Sequence, residues 1–251
     1  MIRRVLLALA ALASAVPADA QQITFVPRFD FHLSAEHLSH EDPRYIWDAD
    51  FGGEIDVVDY GVGRFTFWAN YEVITGDQLR IFDPNQGNYI LAGSLSARAA
   101  GFEVAGVFYH QSRHLSDRPK ILPVDWNMMG GRVTRVFTGG RHEWQARADL
   151  RRIIQHSFVD YVWEFEPSLT GRVTVRPRVA ITANLTARLM GVDGTRDRGT
   201  QTGLLAEGGV RFEGEAGAIE LFVGAERRLD PYPMEFGTAT WAKAGFRLLS
   251  P

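Results

Sequence analysis

Apolar and polar residues alternate with a period of two along most of this chain. In "ITFVPRFDFHLS", Ile23, Phe25, Phe29, Phe31 and Leu33 share one face, while Thr24, Arg28, Asp30, His32 and Ser34 share the other. "RFTFWANYEV" sets Phe65, Phe67, Ala69, Tyr71 and Val73 against Arg64, Thr66, Asn70 and Glu72. "HEWQARADLR" and "AIELFVGAER" repeat the scheme. Successive side chains alternate faces only in extended strands, so these segments are predicted as β. The alternation predicts about twelve strands: 22–33, 46–58, 63–75, 88–99, 102–112, 124–138, 141–153, 158–172, 177–190, 200–213, 217–228 and 238–249. Short and long connections take turns between them, apart from a brief join near 154–157.

The composition of the two faces decides what the strands build. One face carries aromatic and small apolar residues; the other is dense in Asp, Glu and Arg. A soluble sandwich or apolar-cored barrel would bury about twenty charges and expose the aromatics, a prohibitive arrangement given the cost of desolvating ions. Ten-to-twelve-residue strands, an even strand number and alternating loop lengths fit a single antiparallel transmembrane β-barrel. Its short turns would face the periplasm and its long loops the exterior, with the charged faces lining the lumen.

The N-terminus agrees with export. Arg3 and Arg4 precede an apolar run from Val5 to Ala15, and Ala18-Asp19-Ala20 forms an A-x-A cleavage site. Residues 1–20 therefore read as a signal peptide and 21–251 as an outer-membrane barrel. The formal net charge of −3 over 251 residues argues against a nucleic-acid partner. The chain has no Cys, which excludes disulfides, thiol nucleophiles and a lipid-modified cysteine.

Candidate chemistry concentrates in "FYHQSRHLSDRPKILPVDWNMMG", residues 108–130. On the fifth strand Phe102, Val104, Gly106, Phe108, His110 and Ser112 share the apolar, lipid-facing side. Residues i and i+2 of a strand lie about 6.6 Å apart at Cα. An imidazole can thus reach the neighbouring hydroxyl, as general-base activation of a Ser requires. Asn127 stands at the top of the adjacent strand, where its amide could hold the imidazole tautomer. Arg135, further down that strand, is a charged exception on the lipid-facing side. Arg113, His114, Asp117 and Asp125 complete the polar set, the two carboxylates being possible oxygen ligands. A second set, His37, His40, Glu41 and Asp42 in "EHLSHED", offers metal-ligand side chains at loose spacing.

"HQS" followed by "WN" at the next strand resembles the outer membrane phospholipase A family, twelve-stranded barrels with a lipid-facing His, Ser and Asn. The resemblance covers residues 110–127. It implies His110 as base, Ser112 as nucleophile and Asn127 as orienting residue of a phospholipase A-like serine hydrolase acting on outer-membrane lipids. It also implies a calcium-assisted oxyanion site and a homodimer, with insertion by the barrel-assembly machinery. The chain departs from that family in having Arg113-His114 after the Ser, where the family has Asn-Gly, and in a longer Ser-to-Asn separation. "HQSRHLSD" also resembles an uncharacterised family of predicted outer-membrane barrels with an H-x-S-S-H-L-G-D pattern, which implies no activity. The alternative expectation is a non-catalytic structural or transport barrel with a salt-bridged lumen.

Overall fold

The structure, a computed structural model, describes residues 23–119 and 122–250. The export signal therefore lies outside the described residues. Twelve strands run in chain order: β1 (Thr24–Leu38), β2 (Trp47–Asp59), β3 (Arg64–Gly76), β4 (Asp83–Ala99), β5 (Phe102–Leu115), β6 (Val124–Gly139), β7 (His142–Ser157), β8 (Tyr161–Arg176), β9 (Val179–Val192), β10 (Gln201–Glu213), β11 (Ala218–Leu229) and β12 (Thr238–Leu249). Each pairs antiparallel with its sequence neighbours, and β1 closes the ring on β12 through His32–Leu38. Closure leaves no free edge, as a strand structure in lipid must.

The sheet is inside out relative to a soluble protein. Phe29 is 59% exposed and Val223 64%, whereas Asp149 is fully buried and Arg151 is 1% exposed. Tight turns close one end. Ala100 and Gly101 take successive positive φ values of 51° and 77°, the geometry of a two-residue hairpin whose twist matches the strands. Arg135, a charged exception on the outer wall, lays its guanidinium over Phe102 at 4.8 Å and Phe137 at 5.1 Å, where cation–π attraction offsets some of its desolvation.

The strands run further at the long-loop end than the alternation predicts. β1 reaches Leu38, β4 begins at Asp83 and β5 continues to Leu115. "DPNQG" at the start of β4 has the composition of a turn. It extends instead because Asn85, Gln86 and Asn88 are buried inside, and Asn85 Nδ2 donates to the Arg44 carbonyl at 2.7 Å.

Ionic layers fill much of the lumen. Lys243 lies between Glu36 (2.8 Å) and Glu207 (2.9 Å), and Arg228 between Asp48 (2.7 Å) and Glu72 (3.0 Å). The interior is not ionic throughout, however. In its upper half Tyr109, Trp126, Met128, Ile153, Tyr161 and Met190 form a buried apolar cluster. Above it the β11–β12 loop folds inward. Its Asp230 accepts from the Tyr161 hydroxyl and from Arg198 Nη1 and Nη2 at 2.8 and 2.9 Å, and Met234 packs on the cluster. Arg113 ties the same loop down, donating to the Asp230 carbonyl at 2.5 Å and the Pro231 carbonyl at 2.9 Å. We therefore expect the refolded barrel to show no stable open level in planar bilayers; a sustained porin-like conductance would contradict the packing described.

Candidate active site

His110, Ser112 and His114 point outward from the top of β5, because Tyr109, Gln111 and Arg113 between them are buried inside. The register sets their neighbours. His110 lies opposite Asn127 and Ser112 opposite Asp125 on β6; Ser112 lies opposite Tyr89 and His114 opposite Gly87 on β4. A polar patch thus sits on an otherwise lipid-facing wall.

Within it, His110 Nδ1 and Asn127 Oδ1 are 2.7 Å apart. The amide is oriented from its other end, where Asn127 Nδ2 donates to Gln155 Oε1. Gln155 Nε2 in turn donates to Asp125 Oδ2 at 3.4 Å. With Oδ1 facing the imidazole, Nδ1 must carry the proton, which leaves Nε2 with its lone pair. Asn127 therefore fixes the basic tautomer of His110. Ser112 Oγ is hydrogen-bonded to His114 Nε2 at 2.6 Å, and the described residues record no bond between Ser112 and His110. The His114 ring meets Tyr89 edge-on at 5.4 Å, and Tyr89 meets Tyr71 at 4.5 Å. Gly87 makes room for this aromatic row, since a Cβ there would collide with the Tyr71 hydroxyl.

Two of the residues singled out in the sequence lie elsewhere. Arg113 is buried and faces the lumen. Asp117 lies in the β5–β6 connection, where Arg80 Nη2 donates to it at 2.7 Å. Gln155 carried no signal in the sequence. A bulge opposite Asn127–Met128 inserts an extra residue, Ile154, and turns Gln155 from the inner to the outer face.

Calcium takes six to eight oxygen ligands, usually several of them carboxylates. The outer patch offers one carboxylate, Asp125, and the residues present do not fit a calcium shell on a single chain. Among the described residues the acidic group compact enough to hold a metal is in the lumen: Asp48, Asp50 and Glu72 bring ligand atoms within 4.8 Å of one another. Arg228 already supplies a cation there. The His37/His40 set is not gathered either. His37 packs edge-on against Trp47 at 5.2 Å, His40 against Tyr45 at 5.3 Å, and the Arg44 guanidinium beside Asp42 holds that carboxyl below the usual carboxylate range.

No family model matches the sequence, and no curated protein does. Solved structures are similar in fold. Outer membrane phospholipase A from Escherichia coli superposes with a TM-score of 0.54 at 10% identity, over 90% of this chain and 98% of that one. The calcium-bound dimer of the Salmonella typhi outer membrane phospholipase gives 0.54 at 10% identity, over 94% of each chain. KdgM porin gives 0.49 at 8% identity, over 87% of this chain and 98% of that one. At such identities the likeness is one of fold: this chain has the architecture of outer-membrane barrels.

Proposed function

We propose that the outer patch is a hydrolytic centre for acyl esters of outer-leaflet lipids, of the phospholipase A type. The observation that carries the reading is the His110 Nδ1–Asn127 Oδ1 contact on the lipid-facing wall, one strand position from Ser112. Two imidazoles flank Ser112; Asn127 sets the tautomer of His110 with Nε2 unprotonated, and His110 is assigned as the base. Ser112 leaves His114, and His110 Nε2 takes its proton as Oγ bonds to the ester carbonyl carbon. The tetrahedral intermediate collapses with cleavage of the ester C–O bond. His110 returns the proton to the departing alcohol, and water, deprotonated by the same imidazole, then releases the fatty acid and restores the Ser112 hydroxyl.

The fold likeness to two phospholipases supports this reading, as does a lumen packed with ion pairs and apolar side chains, which disfavours transport. The reading includes export by a cleaved signal over residues 1–20, insertion by the barrel-assembly machinery, and a homodimer that covers the patch. No step is routed through calcium, and hydrolysis is expected to persist in chelator. The test is phospholipid hydrolysis by the refolded protein in mixed micelles.

Two variants refine it. Asn127→Ala should lower kcat on the order of 10- to 100-fold, a part of the roughly 10²–10⁴ that general-base catalysis supplies. Gln155→Leu should lower it less, because the Asn127 amide keeps its place but loses the partner that orients it. Activity equal to the wild type in Asn127→Ala would remove His110 as the oriented base.

A further inference from the structure

Most lumenal arginines direct a terminal nitrogen at a carboxylate. Arg28, Arg64, Arg211, Arg228 and Arg247 all do so, at distances up to 3.0 Å. Arg132 and Arg147 do not. Each donates through Nε alone, and both reach the same carboxylate, Asp149, at 2.9 and 2.5 Å. Their terminal nitrogens have no acceptor among the described residues. Both side chains line a cavity of about 470 Å³ below the apolar cluster, with Arg188 on the same wall. Arg188 donates through Nε to Glu164 at 2.7 Å and through Nη2 to Gln111 at 3.5 Å.

Four guanidinium groups and four carboxylates meet around this cavity. Arg132, Arg147, Arg151 and Arg188 surround Asp149, Glu164 and Glu166. Glu54, the fourth acid, is engaged by Arg28, which also meets Asp30 and Asp56. Guanidinium forks whose Nε is already anchored are pre-set to take an oxyanion through paired N–H groups. The cavity is of a size that holds a small organic solute. Its wall also presents the hydroxyls of Ser168 and Thr186 and the ring of Trp68.

We propose that this cavity binds a small solute bearing a phosphate or carboxylate group, held by the terminal nitrogens of Arg132 and Arg147. The solute enters from the short-turn end, since the β11–β12 loop and the apolar cluster close the other. The side chains between the cavity and that end, Arg28 and Arg64, are 33% and 24% exposed, so water already reaches them. This site is independent of the hydrolytic patch on the outer wall.

The test is titration calorimetry of the refolded full chain in detergent micelles with glucose 6-phosphate and gluconate, glucose serving as the uncharged control. At least one charged probe is expected to bind saturably, with affinity falling tenfold or more in Arg132→Gln and Arg147→Gln. It should be unchanged in Arg135→Gln, whose guanidinium lies on the outer wall. No saturable binding of either anion, or equal affinity in the two lumenal variants, would overturn the site. Phenylglyoxal labelling of the wild type, mapped by mass spectrometry, gives a reading that needs no variant to fold. Glucose 6-phosphate or gluconate should slow labelling at Arg132 and Arg147 several-fold and glucose should not; equal labelling under all three conditions would also overturn it.

Discussion

Ser112→Ala is expected to reduce phospholipid hydrolysis by the refolded barrel at least about 10³-fold, the loss that follows removal of a nucleophile from a unit of cooperating side chains. The residue stands between two imidazoles, with its hydroxyl 2.6 Å from His114 Nε2. The substitution deletes one oxygen from an outward side chain and touches no lumenal contact. The variant should therefore fold like the wild type, and its heat-modifiable gel mobility should be the same. His110→Ala should match it in magnitude, whereas His114→Ala should retain most activity, because His114 holds the Ser112 hydroxyl at 2.6 Å in this state, away from the base His110. Equal hydrolysis by wild type and Ser112→Ala would remove the hydrolase reading, and a dead His114→Ala beside an active His110→Ala would reassign the base.

Arg151→Leu is expected to be the most damaging single change to stability. Its side chain is fully buried and bonded to Glu164, with Glu166 at 3.2 Å, and its guanidinium lies 4.6 Å from the Tyr109 ring centre. Removing one partner of a buried ion cluster leaves the others uncompensated, at a cost of about 3–5 kcal/mol. Glu164 keeps Arg188, and Asp149 keeps Arg132 and Arg147, which places the loss at the low end, about 3 kcal/mol. Arg135→Leu is the matched control: the same substitution on the lipid-facing wall should change stability by much less. Urea-induced unfolding from phospholipid vesicles measures both. An Arg151→Leu barrel as stable as the wild type would mean that the lumenal ions contribute little to the fold.

The barrel was legible because its two faces differ so sharply. Phe65, Phe67 and Tyr71 on one side of β3, and Arg64, Thr66 and Glu72 on the other, permit a single sensible orientation in lipid. Turn positions were legible for a related reason, since Ala100-Gly101 interrupts the alternation where the chain reverses. Strand ends were not. Above the lipid the outer face no longer needs to be apolar, so β1, β4 and β5 continue through polar residues without a periodic signature. The inner apolar cluster was hidden too. The alternation that turns Asn127 and Met129 outward also turns Trp126 and Met128 inward, but nothing in the letters says that these side chains gather with Tyr109, Ile153, Tyr161 and Met190 into one apolar layer.

The His110, Ser112 and Asn127 part of the site was readable from alternation alone, since i and i+2 on one strand and a register partner on the next suffice to place them together. Two details needed coordinates. One inserted residue, Ile154, brings Gln155 beside Asn127, and single-residue irregularities leave no trace in a period-two pattern. The pairing of Ser112 with His114 rather than His110 depends on side-chain rotamers, which spacing does not set.

The sealed mouth has a consequence for the cell that carries this barrel. Each copy of a porin adds a hole to the outer membrane, so abundance is limited by the antibiotics and detergents that leak in. Here, among the described residues, the Asp230–Arg198–Tyr161 clasp and the greasy layer beneath it fill the long-loop end. Overproduction should leave the permeability barrier intact, and the cell is free to set copy number by need alone.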